Sequence, residues 1–92
     1  MTYTIRFNKQ VNWRRFAKLP LSDRKKIKAA MAQKLTTYPD LFGKPLRLSL
    51  RGHWSLRIGE YRVIYRMRGV TVEIMLIGHR STIYDDAKGI LG

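Results

Sequence analysis

The sequence predicts an α+β fold in which an N-terminal strand and a helical hairpin precede an antiparallel β-meander that packs on the helices. In the first part of the chain, the apolar residues change from strand-like alternation to helical spacing. In the last part, three runs rich in β-branched and aromatic residues are separated by short turns. A chain of 92 residues can bury one modest core, so we expect a single domain over residues 1–92.

The N-terminal elements follow from this change of period. Tyr3–Phe7 alternates between apolar and polar residues, which predicts a short strand. The apolar residues between Trp13 and Leu19 recur at helical spacing. A helix should end near Leu19, because Pro20 disfavours helical geometry in the residue before it.

A second helix is predicted between Ser22 and Tyr38. Ser22 is a favourable N-cap, and Asp23 in the first turn would interact well with the helix dipole. Because the connection between the two helices is short, they should form a hairpin. Tyr38–Pro45 is predicted to be a loop. The alternation within Leu46–Leu50 then predicts an extended edge segment or the start of the meander.

The predicted meander consists of Trp54–Ile58, Tyr61–Met67 and Val70–Gly78, joined at Gly59-Glu60 and Arg68-Gly69. A lone meander cannot bury enough apolar surface, so the helices must cover one of its faces.

Alternation along these strands assigns residues to the two faces of the sheet. Most aromatic and aliphatic side chains point toward the helices, whereas Arg57 and Arg62 point to the opposite face. On the third strand, the same alternation places Leu76 toward the helices and places Ile77 and His79 on the arginine face. We therefore expect a basic surface on the face that the helices leave open.

Charge is the main compositional signal. The chain has 19 Lys and Arg against 6 Asp and Glu, a net charge of +13. Such an excess repels itself unless an anionic partner relieves it, and RNA, DNA, an acidic membrane surface or an acidic protein could do so. Nucleic acid is favoured because its phosphates reward many cations through counterion release. The alternative interpretation is a solvated surface that charge keeps soluble.

Cysteine is absent, which excludes disulfides and thiolate zinc sites and fits a reducing cytoplasm. No apolar run approaches the roughly 18 residues of a membrane span, so we expect a cytoplasmic protein with no membrane association. With 2 scattered histidines and 6 acidic residues, we expect no metal and no cofactor.

A metal-free ribonuclease is chemically possible with the residues of the predicted basic surface. The 2′-hydroxyl must lose a proton, the phosphate must be stabilised as its charge grows, and the leaving 5′-oxygen must gain a proton. Arg57, Arg62 and Arg80 could stabilise the phosphate. Tyr84 or His79 could transfer protons, although a single histidine at a strand end is more often structural.

Four segments resemble the RelE/ParE superfamily of bacterial and archaeal toxins. They are Gly43–Leu46, Leu50–Gly52, Trp54–Tyr65 and Ile77–Tyr84. The resemblance implies the toxin of a type II toxin–antitoxin pair, in which an acidic antitoxin forms a hetero-oligomer with the toxin. RelE-like members cleave mRNA in the ribosomal A site without a metal, which favours the RelE-like branch here.

The resemblance also implies roles for individual residues. Arg62 matches the arginine that stabilises the cleaved phosphate, Arg80 the arginine after the last strand, and Tyr84 the tyrosine that stacks on or activates the substrate. The family's lysine pair is replaced by Ser55 and Arg57, and arginine is a poor general base. The expected catalytic set is Arg57, Arg62, His79, Arg80 and Tyr84, with Lys44, Arg47, Arg51 and Arg66 binding RNA.

Two alternatives stay open at this point. The ParE branch of the superfamily inhibits DNA gyrase, and a fold does not fix a function. A non-catalytic RNA-binding module would fit the charge equally well. The general base is open between Tyr84 and His79.

Overall fold

A five-stranded sheet forms the centre of the computed structural model, which describes residues 2–92. Its strands are β1 (Thr4–Phe7), β2 (Lys44–Pro45), β3 (Trp54–Ile58), β4 (Tyr61–Arg68) and β5 (Thr71–His79). The order across the sheet is β1-β5-β4-β3-β2, with β1 parallel to β5 and the other neighbours antiparallel. The predicted α+β fold and the β3–β4–β5 meander are confirmed.

Helices lie on both faces of this sheet. The predicted hairpin consists of α1 and α2, and α2 continues into one π-helical turn, Met31–Leu35. Two further helices, α3 and α4, were not predicted. None of the helices within residues 2–92 is long and apolar enough to cross a membrane. The helices are α1 (Trp13–Ala17), α2 (Leu21–Ala30), α3 (Pro39–Phe42) and α4 (Ile83–Leu91).

Two hydrophobic clusters hold the helices on the sheet. Under the hairpin, Phe16 and Ile27 pack against the inward side chains of β3 and β4, on the faces that alternation predicted. On the other face, α4 packs through Ile83 and Ala87 against Ile64. The face opposite the hairpin is therefore partly covered by α4. Only the part of that face beside α4 is open to solvent.

A β-bulge in β5 changes which side chains reach each face. The register with β4 skips Met75, so that alternation reverses beyond it. Leu76 then packs in the cluster under α4, while Ile77 packs in the cluster under the hairpin. The prediction that Leu76 faces the hairpin, and that Ile77 and His79 share the arginine face, is wrong for this reason.

The second helix begins two residues earlier than predicted, with Pro20 instead of Ser22 at the N-cap. Pro20 has extended backbone, and its carbonyl accepts the first helical hydrogen bond, from the Arg24 N–H at 3.0 Å. Ser22 therefore lies in the first turn of α2 and is not the N-cap.

The segment between the helices and β3 is less extended than predicted. The predicted loop Tyr38–Pro45 contains α3, in which Pro39 occupies the first turn, where its missing N–H costs nothing. Leu46–Leu50 is not an extended strand, because its last three residues form a 3₁₀ turn. Leu48 has a φ of 55° in that turn, which no strand geometry allows.

Gly43 fixes the path of the chain from α3 into β2. The buried Tyr65 hydroxyl, which donates a hydrogen bond to the Pro39 carbonyl, lies directly beneath it. A Cβ atom on residue 43 would lie 1.8 Å from that hydroxyl oxygen, so only glycine fits. This contact fixes the start of β2, and with it Lys44, at the edge of the sheet.

Candidate nucleic-acid interface

A groove of about 410 Å³ opens between β2, the sheet and α4. It brings together four of the residues that the sequence indicates, namely Lys44, Arg57, Arg62 and Tyr84. Each comes from a different element, β2, β3, β4 and α4. The residues that line this groove are Phe42, Lys44, Pro45, Leu46, Ser55, Arg57, Arg62 and Tyr84.

Ser55 and Tyr84 form the floor of the groove. Ser55 is buried, and its Oγ lies 3.0 Å from the Tyr84 hydroxyl oxygen, within hydrogen-bonding distance. Lys44 lies directly opposite Ser55 in the β2–β3 register. The hydrogen bond therefore holds the Tyr84 phenol close to the strand pair that carries the lysine.

Arg57 and Arg62 occupy opposite positions on β3 and β4. Like charges at such a position repel each other, so an anion between them would be stabilised. The Arg62 guanidinium donates hydrogen bonds to the carbonyls of Gly59 at 3.0 Å and Tyr61 at 2.8 Å. The β3–β4 turn thus fixes one of the two cations before any ligand binds.

Arg80 lies beside the groove. A second depression, of about 390 Å³, is shared by Arg62, His79, Arg80 and Tyr84. The Arg80 Nε donates to a Glu60 carboxylate oxygen at 2.5 Å, and both side chains are well exposed. Because this pair is exposed, Arg80 can exchange Glu60 for another anion at little cost.

His79 sits on the rim rather than inside the groove. Its ring packs edge-on against Tyr61, with the centroids 5.8 Å apart, on the side of the helical hairpin. The Nδ1 atom accepts a hydrogen bond from the Ser81 backbone N–H at 3.1 Å and lies 2.8 Å from the Ser81 hydroxyl oxygen. The hydrogen bond from the Ser81 N–H therefore directs the Nδ1 lone pair toward the Ser81 backbone and away from the groove.

The remaining predicted RNA-binding residues lie elsewhere. Arg47 and Arg51 are exposed between β2 and β3, outside the lining of the groove. Arg66 donates to the Glu73 carboxylate at 2.6 Å, and Asn8 donates to the same carboxylate at 3.0 Å. These hydrogen bonds hold the pKa of Glu73 below its usual value. The bond from Asn8 has the larger effect and the bond from Arg66 the next. Arg66 is thus engaged in joining strands.

Four residues that line the groove are not among the predicted site residues, namely Phe42, Pro45, Leu46 and Ser55. The family resemblance names Ser55 only as the replacement of a lysine. Phe42 was assigned to a loop, yet its half-exposed ring forms part of the groove wall. The signal for Phe42 was available, since an aromatic residue precedes Gly43-Lys44 at the end of a proline-initiated turn.

This arrangement suits a phosphodiester. Its lining contains cations and a phenol but no carboxylate. Arginine forks grip phosphate oxygens well, and the phenol can hydrogen-bond to a sugar or phosphate. Among residues 2–92, no three His, Asp or Glu side chains lie close enough together to hold a metal ion.

Comparisons with known proteins agree with the resemblance seen in the sequence. The family model of the ParE toxin of type II toxin–antitoxin systems matches residues 5–84. The toxin RelG of Mycobacterium tuberculosis is 39% identical over 90 residues, which cover 91% of this chain and 98% of that protein.

Solved structures show the same fold. A chain of the M. tuberculosis toxin–antitoxin complex RelBE2 has a TM-score of 0.79 at 35% identity, with 87% of this chain and 100% of that chain covered. A mutant of the Escherichia coli toxin RelE in the free state has a TM-score of 0.67 at 21% identity, covering 99% and 100% of the two chains. The chain therefore belongs to the ParE toxin family of type II toxin–antitoxin systems, within the RelE/ParE superfamily.

Proposed function

We propose that this toxin is a metal-independent endoribonuclease that cleaves mRNA on the ribosome. The observation that carries the proposal is the convergence of Lys44, Arg57, Arg62 and Tyr84 in one groove. Such a groove can hold the phosphate of a single-stranded RNA and offers groups for proton transfer. The relatives named RelG and RelE support the same branch of the superfamily.

In the proposed reaction, the 2′-oxygen attacks the adjacent phosphorus and the bond from phosphorus to the 5′-oxygen breaks. The products are a 2′,3′-cyclic phosphate and a 5′-hydroxyl. Arg57 and Arg62 stabilise the negative charge that grows on the non-bridging oxygens, and Arg80 moves from Glu60 to the phosphate.

Two protons move in this reaction. We assign the transfer of the 2′-hydroxyl proton to Tyr84, because its oxygen lies in the groove, whereas the Nδ1 lone pair of His79 is directed at the Ser81 N–H. We assign donation to the leaving 5′-oxygen to the Lys44 ammonium. Arginine holds its protons too tightly for either role.

The test is induction of the toxin, with mRNA ends on ribosomes mapped at codon resolution. We expect new 5′ ends within codons for the natural protein. Arg62→Ala, Arg80→Ala and Tyr84→Phe should each lower cleavage by about 10²-fold or more. The matched control is Arg68→Ala, an exposed arginine at the end of the same strand as Arg62, which should cleave normally. Arrested growth with intact ribosome-bound mRNA would contradict the proposal.

The second candidate is a non-nuclease toxin that inhibits DNA gyrase. The name of the matching family, ParE, is the observation that favours it. A supercoiling assay with purified gyrase separates the two candidates, since the endoribonuclease should leave gyrase active. A plain RNA-binding module would bind RNA without producing new ends.

We also propose a cognate acidic antitoxin that forms a hetero-oligomer with this chain. Support comes from the net charge of +13 and from the RelBE2 structure, which is a toxin–antitoxin complex. A ribosomal target implies that the toxin acts in the cytoplasm.

A further inference from the structure

An aromatic side chain forms one wall of the basic groove. Phe42 is the last residue of α3, and 45% of its surface is exposed to solvent. Phe7 and Trp13 are about as exposed, but Phe42 is the exposed aromatic ring that lines the basic groove. In the same groove, Lys44, Arg57 and Arg62 supply positive charge. An aromatic face next to a row of cations is the arrangement that binds the bases and phosphates of a single strand together.

The backbone after Phe42 and one face of its ring both have defined neighbours. The next residue, Gly43, is fixed by its close approach to Tyr65. The Lys34 Nζ lies over the ring, 5.6 Å from its centroid. A cation on one face leaves the opposite face of the ring for a base.

We propose that Phe42 stacks on a nucleobase of the RNA strand whose phosphate lies between Arg57 and Arg62, and so orients that nucleotide in the groove. This role rests on the proposed RNA substrate but not on its cleavage. Stacking accepts any base, so Phe42 contributes affinity at one position of the strand regardless of the phosphate contacts.

The test uses a fluorescein-labelled six-nucleotide RNA with 2′-O-methyl groups, which cannot be cleaved, and the purified toxin. Phe42→Ala should weaken binding about tenfold, while Phe42→Trp should keep it. The matched control is Leu41→Ala, because Leu41 is 73% exposed on the same helix but does not line the groove. Thermal melting of each variant confirms that it is folded.

Two further readouts separate stacking from charge. Phe42→Ala should leave the salt dependence of binding unchanged, whereas Lys44→Ala should reduce the slope by about 1. A series of RNAs, each with one abasic nucleotide, locates the stacked base. When the abasic nucleotide is at that position, the natural protein and Phe42→Ala should bind the RNA with equal affinity. Equal affinities of Phe42→Ala and Leu41→Ala, a loss of binding in Phe42→Trp, or no binding of the oligomer to the natural protein would overturn the proposal.

The outcomes also distinguish this proposal from the endoribonuclease. Discrimination by Phe42 without cleavage on ribosomes would refute the proposed function and retain the stacking role. If Phe42→Ala and Leu41→Ala cleave mRNA equally well, the proposed function is retained and the stacking role is refuted. If Phe42→Ala weakens the complex with the cognate antitoxin but not with the RNA, Phe42 is a protein contact and the stacking role is refuted.

Discussion

At the scale of the residue, the hydrogen bond between Ser55 and Tyr84 couples the floor of the groove to α4. Each of Ser55→Ala and Tyr84→Phe removes one partner of this bond, so their effects on stability should not add. A double-mutant cycle on the free energy of unfolding in urea should give a coupling of about 1 kcal/mol. Additivity within about 0.3 kcal/mol would show that the two hydroxyls do not interact.

Lys44 is proposed to donate a proton to the leaving 5′-oxygen as well as to supply positive charge. Arginine is therefore the informative substitution. Lys44→Arg retains the positive charge but cannot release its proton at neutral pH. We expect the affinity for the non-cleavable RNA to stay within a few-fold, while ribosome-dependent cleavage falls by about 10²-fold. Quench-flow or primer-extension rates on programmed ribosomes provide the measurement. Full activity in Lys44→Arg would reduce Lys44 to a phosphate contact.

At the scale of the element, Glu73 joins β5 to β4 through Arg66 and to the segment after β1 through Asn8. These bonds hold the folded-state pKa of Glu73 below its ordinary value of 4.5. The stabilisation is therefore complete above the unfolded-state pKa and is lost as the pH falls through the folded-state pKa.

Glu73→Gln should accordingly lower the free energy of unfolding by about 1 kcal/mol near neutral pH. The difference from the natural protein should shrink in acid, because protonation then removes the same carboxylate. Urea unfolding at both pH values provides the measurement. Glu60→Gln is the control, since its pair with Arg80 is exposed and should contribute less than about 0.5 kcal/mol. A deficit of Glu73→Gln that persists unchanged in acid would contradict this account.

Two glycines, one between α3 and β2 and one inside α4, should respond oppositely to alanine. Gly43→Ala places a Cβ atom 1.8 Å from the Tyr65 hydroxyl oxygen and should destabilise the fold by more than about 2 kcal/mol. Gly89 lies inside α4, and a Cβ atom there meets nothing within 4 Å. Gly89→Ala should stabilise the protein by about 0.5–1 kcal/mol through helix propensity. Thermal melting gives both signs, and similar shifts in the two variants would contradict the crowding at Gly43.

The sequence was sufficient to predict β1, the three meander strands and the hairpin, because their hydrophobic periods are local properties. It did not predict β2, which lies in the predicted loop Tyr38–Pro45. Alternation also placed Arg57 and Arg62 on one face correctly. The bulge at Met75 could not be predicted, since it arises from how β4 and β5 pair and leaves no local signal. It reversed the expected side of His79, although the periodicity up to the bulge was correct.

Helix α4, which covers part of the second face of the sheet, was not predicted for a similar reason. Ile83, Ala87 and Leu91 have helical spacing, but the run is short and contains Gly89. Its stability as α4 comes from packing on the sheet beside Gly78, where a Cβ atom would lie 2.9 Å from Ile83 Cδ1. The groove exists only because α4 covers part of this face, so its outline could not be derived from strand patterns.

At the scale of the whole molecule, most of the positive charge has no acidic residue to balance it. Three of the 6 acidic residues, Glu60, Glu73 and Asp86, form ion pairs with Arg80, Arg66 and Arg15. The net charge of +13 is spread over a molecule of about 33 × 28 × 23 Å. Repulsion among these cations opposes folding of the free toxin. The same positive charge attracts an acidic partner.

Salt should therefore act in opposite directions on the free toxin and on its complexes. Screening shortens the range of both interactions, from about 30 Å at 0.01 M to about 8 Å at 0.15 M. The melting temperature of the free toxin should rise over this range because self-repulsion weakens. The affinities for the acidic antitoxin and for RNA should fall over the same range, RNA more steeply because counterions are released. Calorimetry on the free toxin and titration of both partners at matched salt give the two slopes. A melting temperature that falls with added salt, or an antitoxin affinity that does not change, would show that short-range packing outweighs the excess charge.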